Sequence, residues 1–67
     1  MVVGIIKIFN HLSGFGFITS DVCHNIFFNY EDCDKELLKF IKEGTPVKFE
    51  LVYSEYGERA KKITCEK

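Results

Sequence analysis

The fold of this chain is predicted most strongly by the stretch Gly14-Phe15-Gly16-Phe17-Ile18-Thr19-Ser20. Aromatic and β-branched residues favour a strand, and successive side chains of a strand point to opposite faces. One face of this strand therefore carries Phe15, Phe17 and Thr19, and the other carries Gly16 and Ile18. Large rings opposite a glycine leave two interpretations open. Either the rings form the core, or they are exposed to a ligand while Ile18 points inward.

Runs of similar composition on both sides of this stretch predict further strands. The predicted strands cover Val2 to Asn10, Gly14 to Ser20, Ile26 to Tyr30, Pro46 to Tyr53 and about Glu58 to Cys65. The first strand is apolar on both faces, which indicates either burial on both sides or a bulge near Lys7 to Phe9. In the fourth strand the odd-numbered residues from Val47 to Tyr53 are apolar, so this face is expected to point inward.

The long connection before the fourth strand contains the one helix-like stretch of the sequence, Asp34 to Glu43. Leu37, Leu38 and Ile41 recur there at helical spacing, and Gly44 is a typical helix stop. A helix of this length is marginal on its own. Short strands with one long connection predict an all-β fold, a small closed or nearly closed barrel that residues 1–67 form as a single domain.

Composition and charge exclude several classes of protein. With 46% hydrophobic and 28% charged residues, the chain does not resemble a disordered protein. A net charge of −1 argues against binding duplex phosphates by long-range electrostatics, whereas 15% aromatic residues favour stacking interactions. No apolar run approaches the roughly 20 residues that span a bilayer, and the segment from Met1 to Lys7 is too short for a signal peptide. We therefore expect a soluble cytoplasmic protein without membrane contact.

The cysteines and acidic residues predict neither a metal site nor an enzyme. The sequence has 3 cysteines, an odd number without a Cys-x-x-Cys pair, so we expect free thiols. Cys23 precedes His24, but the ligand spacing of structural zinc is absent, and both His11 and His24 lie in predicted turns. The acidic residues Glu31, Asp32 and Asp34 are interpreted as solvated turn residues rather than paired catalytic carboxylates. No nucleophile–base pair is visible, so no catalytic residue and no cofactor are predicted.

Three consecutive segments resemble the signature of the bacterial cold-shock protein family. They are Lys7-Ile8-Phe9-Asn10, Ser13-Gly14-Phe15-Gly16-Phe17-Ile18 and Ile26-Phe27-Phe28-Asn29-Tyr30. The segment from Glu43 to Glu50 is similar to the fourth strand of the family, and Gly57, Ala60 and Ile63 are similar to its fifth. The resemblance covers the whole chain. It implies a five-stranded antiparallel OB-fold barrel with a short helical turn in the long loop before strand 4.

The resemblance also implies a function and a set of contact residues. Cold-shock proteins bind single-stranded RNA or DNA, preferably pyrimidine-rich, and act as RNA chaperones or regulators of transcription or translation. By position, the stacking rings are Phe15, Phe17, Phe27 and Tyr30, Lys7 contacts phosphate, and Asn29 hydrogen-bonds a base edge or sugar. Ile8 and Leu38 occupy two further contact positions. Additional candidates are Phe9, His11, Tyr56 and Arg59. Gly16 is interpreted as keeping the strand surface low enough for a base, and Phe28 and Phe49 are assigned to the core.

Several positions depart from the family pattern. Three of them replace a ring: Ile8 stands where the family usually has tryptophan, Asn29 where it has histidine, and Leu38 where many members have phenylalanine. Two replace a charged residue: Ser13 stands in place of lysine, and Asn25 in place of aspartate. Since each lost ring is worth about 1 kcal/mol or more, we expect affinity to be roughly ten- to a hundredfold below that of a typical member. Tyr56 and Arg59 are expected to restore part of it. With Arg59, Lys61 and Lys62, the last strand is predicted to be a charged, solvent-facing edge. Lys61 and Lys62 either contact nucleic acid or block aggregation at this edge.

An alternative function remains open from the sequence. Ile8 and Leu38 keep the expected contact face apolar while weakening stacking, and an exposed apolar patch often marks a protein contact. The alternative is therefore a degenerate domain that contacts another protein or a second copy of itself. We expect a monomer, with a weak dimer as the outcome that would favour this alternative.

Overall fold

The computed structural model describes residues 1–55 and 57–66, and within them it has five strands. They are β1 (Val2–Asn10), β2 (Phe15–Ser20), β3 (Ile26–Asn29), β4 (Pro46–Ser54) and β5 (Gly57–Cys65). The strands form a closed barrel in the order β1-β2-β3-β5-β4. Neighbouring strands are antiparallel except β3 and β5, which are parallel and pair Phe27 with Arg59. The predicted five-stranded all-β barrel is confirmed.

The predicted solvent-facing edge at β5 is wrong. This strand pairs with β4 along its length and with β3 through Arg59, and Ile63 adds a parallel bridge to Cys33. Both of its sides are therefore used in closing the barrel. The adjacent positive charges of Lys61 and Lys62 resemble an edge because both side chains are exposed, although their backbone lies in the sheet.

The helix in the long connection is much shorter than predicted. After a 3-10 turn (Tyr30–Asp32), helix α1 spans only Lys35–Leu38, with Asp34 as its N-cap accepting the Glu36 N–H at 3.3 Å. The chain then turns back to β1, where Gly44 N–H donates to the Ile6 carbonyl at 2.8 Å. A helix continuing to Glu43 would prevent this pairing. The apolar spacing still identified core residues, since Leu37 and Ile41 are buried.

A bulge in β1 changes which face its side chains occupy. The pairing with β2 shifts register between Ile6 and Ile8, at the position where a bulge was one of two interpretations. Ile6 is consequently 1% exposed and Ile8 49% exposed, although two residues separate side chains on the same face of a regular strand. In β4 the expected inward face is confirmed at Val47 and Phe49 but is wrong at Tyr53, which is 75% exposed beyond the end of the core.

The core shows that the outward-ring interpretation of β2 is correct. The buried apolar side chains are Ile6, Ile18, Ile26, Phe28, Leu37, Ile41, Val47, Phe49, Ala60 and Ile63. Ile18 and Phe28 point inward, whereas Phe15 remains exposed. A Cβ at Gly16 would collide with the Ile8 carbonyl oxygen and approach the Phe28 ring at 2.9 Å. Gly16 is thus required by packing inside the barrel, and its interpretation as space for a base is wrong.

Two further features of the described residues bear on function. No helix is long and apolar enough to cross a membrane. The three cysteines are free and half-buried, and burial, with the nearby Asp32 carboxylate as the smaller cause, raises the pKa of Cys33 to about 12. The Cys33 thiol is therefore uncharged at neutral pH and is a poor nucleophile.

Candidate nucleic-acid interface

Strand register aligns side chains in a row across the outer surface of the barrel. Ile8 lies opposite Phe17, Phe17 opposite Phe27, and Phe27 opposite Arg59. We call these residues the central row. Because β1, β2, β3 and β5 are neighbours in the barrel, the row is continuous across four strands. It begins with an aliphatic side chain, continues through two rings and ends with a cation.

Three phenyl rings form one surface around Phe27. The Phe27 ring centroid is 5.9 Å from that of Phe15, with an interplanar angle of 33°, and 5.8 Å from that of Phe17, with an angle of 71°. These separations are typical of interacting aromatic pairs. Phe15 is 39% exposed, and the other two are partly exposed. The structure thus brings together three of the four predicted stacking rings, which we call the phenyl cluster.

The fourth predicted ring, Tyr30, lies at the start of the 3-10 turn and packs over Gly14. Its N–H donates to the Gly14 carbonyl at 2.7 Å, and a Cβ at Gly14 would lie 2.8 Å from the Tyr30 ring. Tyr30 is exposed and borders a depression of about 290 Å³. The other residues lining this end groove are Phe9, His11, Leu12, Ser13, Gly14 and Leu38.

The end groove therefore places the predicted contact residue Leu38 and two of the additional candidates, Phe9 and His11, beside Tyr30. Phe9 is half-buried, with its ring stacked on Phe28 at a centroid distance of 5.6 Å and an angle of 9°. His11 meets the Phe9 ring edge-on at 4.7 Å. Leu38 is also half-buried and packs against the core. Phe9 and Leu38 thus belong partly to the core and partly to the groove.

Lys7 is exposed at the β1 bulge next to the central row. Its Nζ donates a hydrogen bond to Asn25 Oδ1 at 2.8 Å. Because the Asn25 amide is neutral, it orients the ammonium group without cancelling its charge. Lys7 thus keeps a full positive charge at the β1 end of the row, where a phosphate can approach it.

Arg59 and Asp32 form an ion pair at the other end of the row. The Arg59 Nη2 donates to Asp32 Oδ2 at 3.2 Å, and Arg59 Cζ lies 5.3 Å from the Phe27 ring centroid. The same Asp32 oxygen accepts the Asn29 N–H at 3.0 Å. The interpretation of the acidic residues as solvated is therefore wrong for Asp32, which holds Arg59. Asp34 is exposed, as expected, and in addition caps α1.

Comparison with known proteins identifies the family. The family model described as the 'Cold-shock' DNA-binding domain matches residues 2–65. This chain belongs to the cold-shock domain family. It is 39% identical over 64 residues to the cold shock-like protein CspD of Haemophilus influenzae, covering 94% of this chain and 89% of that protein. It is 36% identical over 64 residues to CspLB of Listeria monocytogenes, covering 96% of this chain and 97% of that protein.

A solved structure supports the same fold. Drosophila Unr CSD456 superposes with a TM-score of 0.80 at 22% identity, covering 98% of this chain and 26% of that chain. This likeness shows that the barrel is the OB-fold type expected for a cold-shock domain. The family binds single-stranded nucleic acids and is not a family of enzymes, so the chain is a nucleic-acid-binding protein of cold-shock type.

The structure also shows what the sequence understated in this cold-shock domain. Arg59 was a peripheral candidate, yet it contacts Phe27, because β5 pairs with β3 only in the folded barrel. Its partner Asp32 is 27 residues away in sequence, and no local pattern connects the two. The sequence signal for Arg59 was only its positive charge in a segment that also contains Glu58, Lys61 and Lys62. Tyr56, another additional candidate, lies outside the described residues.

Lys61 and Lys62 lie apart from the central row. They line a depression of about 360 Å³ together with Glu31, Asp32 and Asp34. Carboxylates next to these lysines offset their attraction for phosphate. The hypothesis that they hold nucleic acid therefore gains no support from their surroundings.

Proposed function

We propose that this cold-shock domain binds single-stranded RNA or DNA by stacking bases on the phenyl cluster and Tyr30. The observation that carries the proposal is the continuous outward surface of Phe15, Phe17 and Phe27, whose alternate neighbours on the same strands are buried. A phenyl ring offers a π-face to any base, and each stacked base contributes about 1–3 kcal/mol. Bases paired in a duplex have no free face, so duplexes are excluded.

The remaining contacts follow from the charges of this surface. Lys7 neutralises a phosphate, and Asn29 hydrogen-bonds a base edge or sugar on the β3 side of the cluster. Ile8 and Leu38 provide apolar contact in place of rings, while Phe9, His11 and Arg59 border the strand. Because Lys7 is the one phosphate contact proposed for this surface, few counterions are released on binding, so affinity is moderate and depends weakly on salt.

We further propose that the protein uses this binding to act as an RNA chaperone or as a regulator of transcription or translation. Stacking that favours unpaired over paired bases shifts RNA hairpins towards their open form by mass action. Pyrimidine-rich strands are the preferred ligands, residues 1–67 act as one monomeric domain, and the protein works in the cytoplasm. A fluorophore–quencher RNA hairpin tests the chaperone role, since the wild-type protein is expected to increase its open fraction.

The binding proposal is tested by fluorescence anisotropy with a labelled oligothymidine. The wild type is expected to bind the single strand and not the matching duplex, and the double variant Phe17→Ala, Phe27→Ala to lose at least tenfold in affinity. Tyr53→Ala is the matched control, because it removes a 75% exposed ring on β4 that is not part of this surface. Equal binding by the wild type and the double variant, or no binding by either, contradicts the proposal.

Self-association is the second candidate. It is favoured by three exposed aliphatic side chains on β1, namely Val3, Ile5 and Ile8. Apolar side chains on one strand surface can pack against the same surface of a second copy. Sedimentation at several concentrations separates the candidates: a strict monomer that binds oligonucleotides refutes self-association, and a dimer that does not bind them supports it.

A further inference from the structure

One part of the interface combines stacking rings with a fixed hydrogen-bond donor. Phe17 and Phe27 line a depression of about 390 Å³ whose other walls are Ser54, Glu58 and Arg59. We infer that this depression selects guanine, because Arg59 presents its guanidinium to the edge of a base stacked on the rings. The inference rests on the proposed single-strand binding and names the base that one position of the bound strand prefers.

The Arg59 side chain is held from two sides. Its Nη2 donates to Asp32 Oδ2 at 3.2 Å, and its Cζ lies 5.3 Å from the Phe27 ring centroid. Asp32 is itself fixed, since its side chain is 13% exposed and its carboxylate also accepts the Asn29 N–H. A planar donor held in this way loses little conformational entropy on binding. The fixed directions of its N–H groups therefore favour bases whose acceptors match them.

The donors that remain on Arg59 determine which base edge it can recognise. A guanidinium has five N–H groups. One bonds Asp32, and Nε is buried without a partner among the described residues. The terminal nitrogens keep the others, and the side chain is 32% exposed, so a base edge can reach them.

Guanine matches this donor set best. Its O6 and N7 are adjacent acceptors that bond two N–H groups of one arginine. Adenine places an amino donor beside N7, cytosine presents an amino donor, and thymine presents a single carbonyl beside a methyl group. Through this edge, only guanine pairs both donors of the fork. The free Watson–Crick edge of cytosine also has two adjacent acceptors, O2 and N3, so an equal gain with cytosine would overturn the guanine preference.

Arg59 in the central row and Lys7 beside it have different partners, which separates their roles. Asp32 offsets the charge of Arg59, whereas the partner of Lys7 is the neutral Asn25 amide. A phosphate is therefore attracted more strongly to Lys7, at the β1 end. Arg59, at the β5 end, acts through the geometry of its hydrogen bonds.

The experiment uses the wild-type protein and a series of oligothymidines in which one thymine at a time is replaced by guanine. At one position guanine is expected to tighten binding about tenfold, whereas adenine and cytosine at that position are not. Replacing this guanine by 7-deazaguanine, which lacks the N7 acceptor, removes most of the gain. Inosine, which keeps O6 and N7 but lacks the amino group, retains it.

Protein variants then assign the preference to Arg59. Arg59→Lys keeps the charge but loses the fork, so the affinity ratio between the guanine-containing and all-thymine strands is expected to fall to about 1. Asp32→Asn, which releases the fork, lowers the same ratio. Lys7→Gln is the matched control: it weakens all strands by a similar factor and reduces the salt slope by about 1. Thermal unfolding verifies that each variant is folded, and the base analogues need no variant at all.

The outcomes distinguish failure of the inference from failure of the proposed function. No binding to any strand overturns both. Equal affinity for all-thymine and all guanine-containing strands overturns the guanine preference and leaves single-strand binding intact. A preference that survives Arg59→Lys or 7-deazaguanine overturns the role of Arg59. A uniform loss in the charge-removing variant Arg59→Gln, with a salt slope reduced by about 1, makes Arg59 a phosphate contact and also overturns it.

Discussion

The two faces of the β2–β3 hairpin have the same kind of residue and opposite roles. Phe28 and Phe27 are adjacent in the chain, yet Phe28 is fully buried whereas Phe27 is the centre of the outward phenyl cluster. Ile18 and Phe17 show the same contrast on β2. Aromatic composition alone therefore does not separate core from ligand surface. Core and ligand surface are separated by strand alternation, together with Gly16, which fits only on the inner face.

This difference separates stability from binding. Inner residues contact many core atoms and are constrained by volume, so changes there cost folding free energy. Outer rings contact one another and water, so changes there cost less stability and act mainly on the ligand. Substitutions on each face test this division, from the largest expected effect to the smallest.

Phe28→Ala is expected to have the largest effect. Removing a fully buried ring costs about 3–5 kcal/mol of unfolding free energy, a large share of the stability of a domain this small. Urea unfolding followed by far-ultraviolet circular dichroism measures it. Phe27→Ala is the matched variant on the outer face, and a loss as large as that of Phe28→Ala would show that the outer ring belongs to the core.

Gly16→Ala is expected to destabilise by about 1–3 kcal/mol. The added Cβ collides with the Ile8 carbonyl oxygen, which is backbone and cannot rotate away, and with the Phe28 ring. The midpoint of thermal unfolding should fall accordingly. Gly44→Ala is not a suitable control, because its φ of 90° strains any side chain. Unchanged stability of Gly16→Ala would mean that β1 and β2 separate easily at this point.

Ile8→Trp is expected to strengthen binding of oligothymidine about tenfold with little change in stability. Ile8 is half exposed and lies opposite Phe17, so a ring there extends the stacking surface across β1. Anisotropy titration measures the affinity, and Ile8→Leu is the control for an apolar substitution at this position without a flat ring. A similar gain in both variants would attribute it to apolar contact rather than stacking.

The smallest expected effect concerns pH and Cys33. Its folded pKa, raised to about 12 from 9.0 mainly by burial, keeps the proton bound in the folded state. The contribution of this raised pKa to the unfolding free energy is fully present below pH 9. It is lost as pH rises towards 12, because the thiol of the unfolded chain ionises first. The loss of stability between pH 8 and pH 10 should therefore be smaller in Cys33→Ala than in the wild type. An identical loss in both proteins would exclude Cys33 as a source of it.

Much of the fold could be predicted because it depends on local patterns. Alternation predicted which side chains of β2 share a face, although not which face points inward, and apolar residues on consecutive positions of β1 offered a bulge as one of two interpretations. The helix length was wrong because Gly44 and Thr45 bond to β1, a contact that helical spacing does not contain. The exposed edge at β5 was wrong for the same reason, since its pairing with β3 joins distant parts of the chain.

The candidate site divides in the same way. The phenyl cluster was predictable, because Phe15 and Phe17 follow from one strand and Phe27 from its hairpin partner. The Arg59–Asp32 pair was not, since it depends on barrel closure across 27 residues. Non-local pairing thus sets the part of the interface that the proposed base preference depends on.

The measurement that tests the central claim most directly is the affinity of Phe27→Leu for labelled oligothymidine, with unfolding free energy measured on the same sample. Leucine keeps an apolar side chain on the outer face but removes the flat ring. If Phe27 stacks a base, affinity falls about tenfold while stability changes by less than about 1 kcal/mol. Wild-type affinity in a stably folded Phe27→Leu would contradict the claim that outward rings on β2 and β3 bind single strands by stacking.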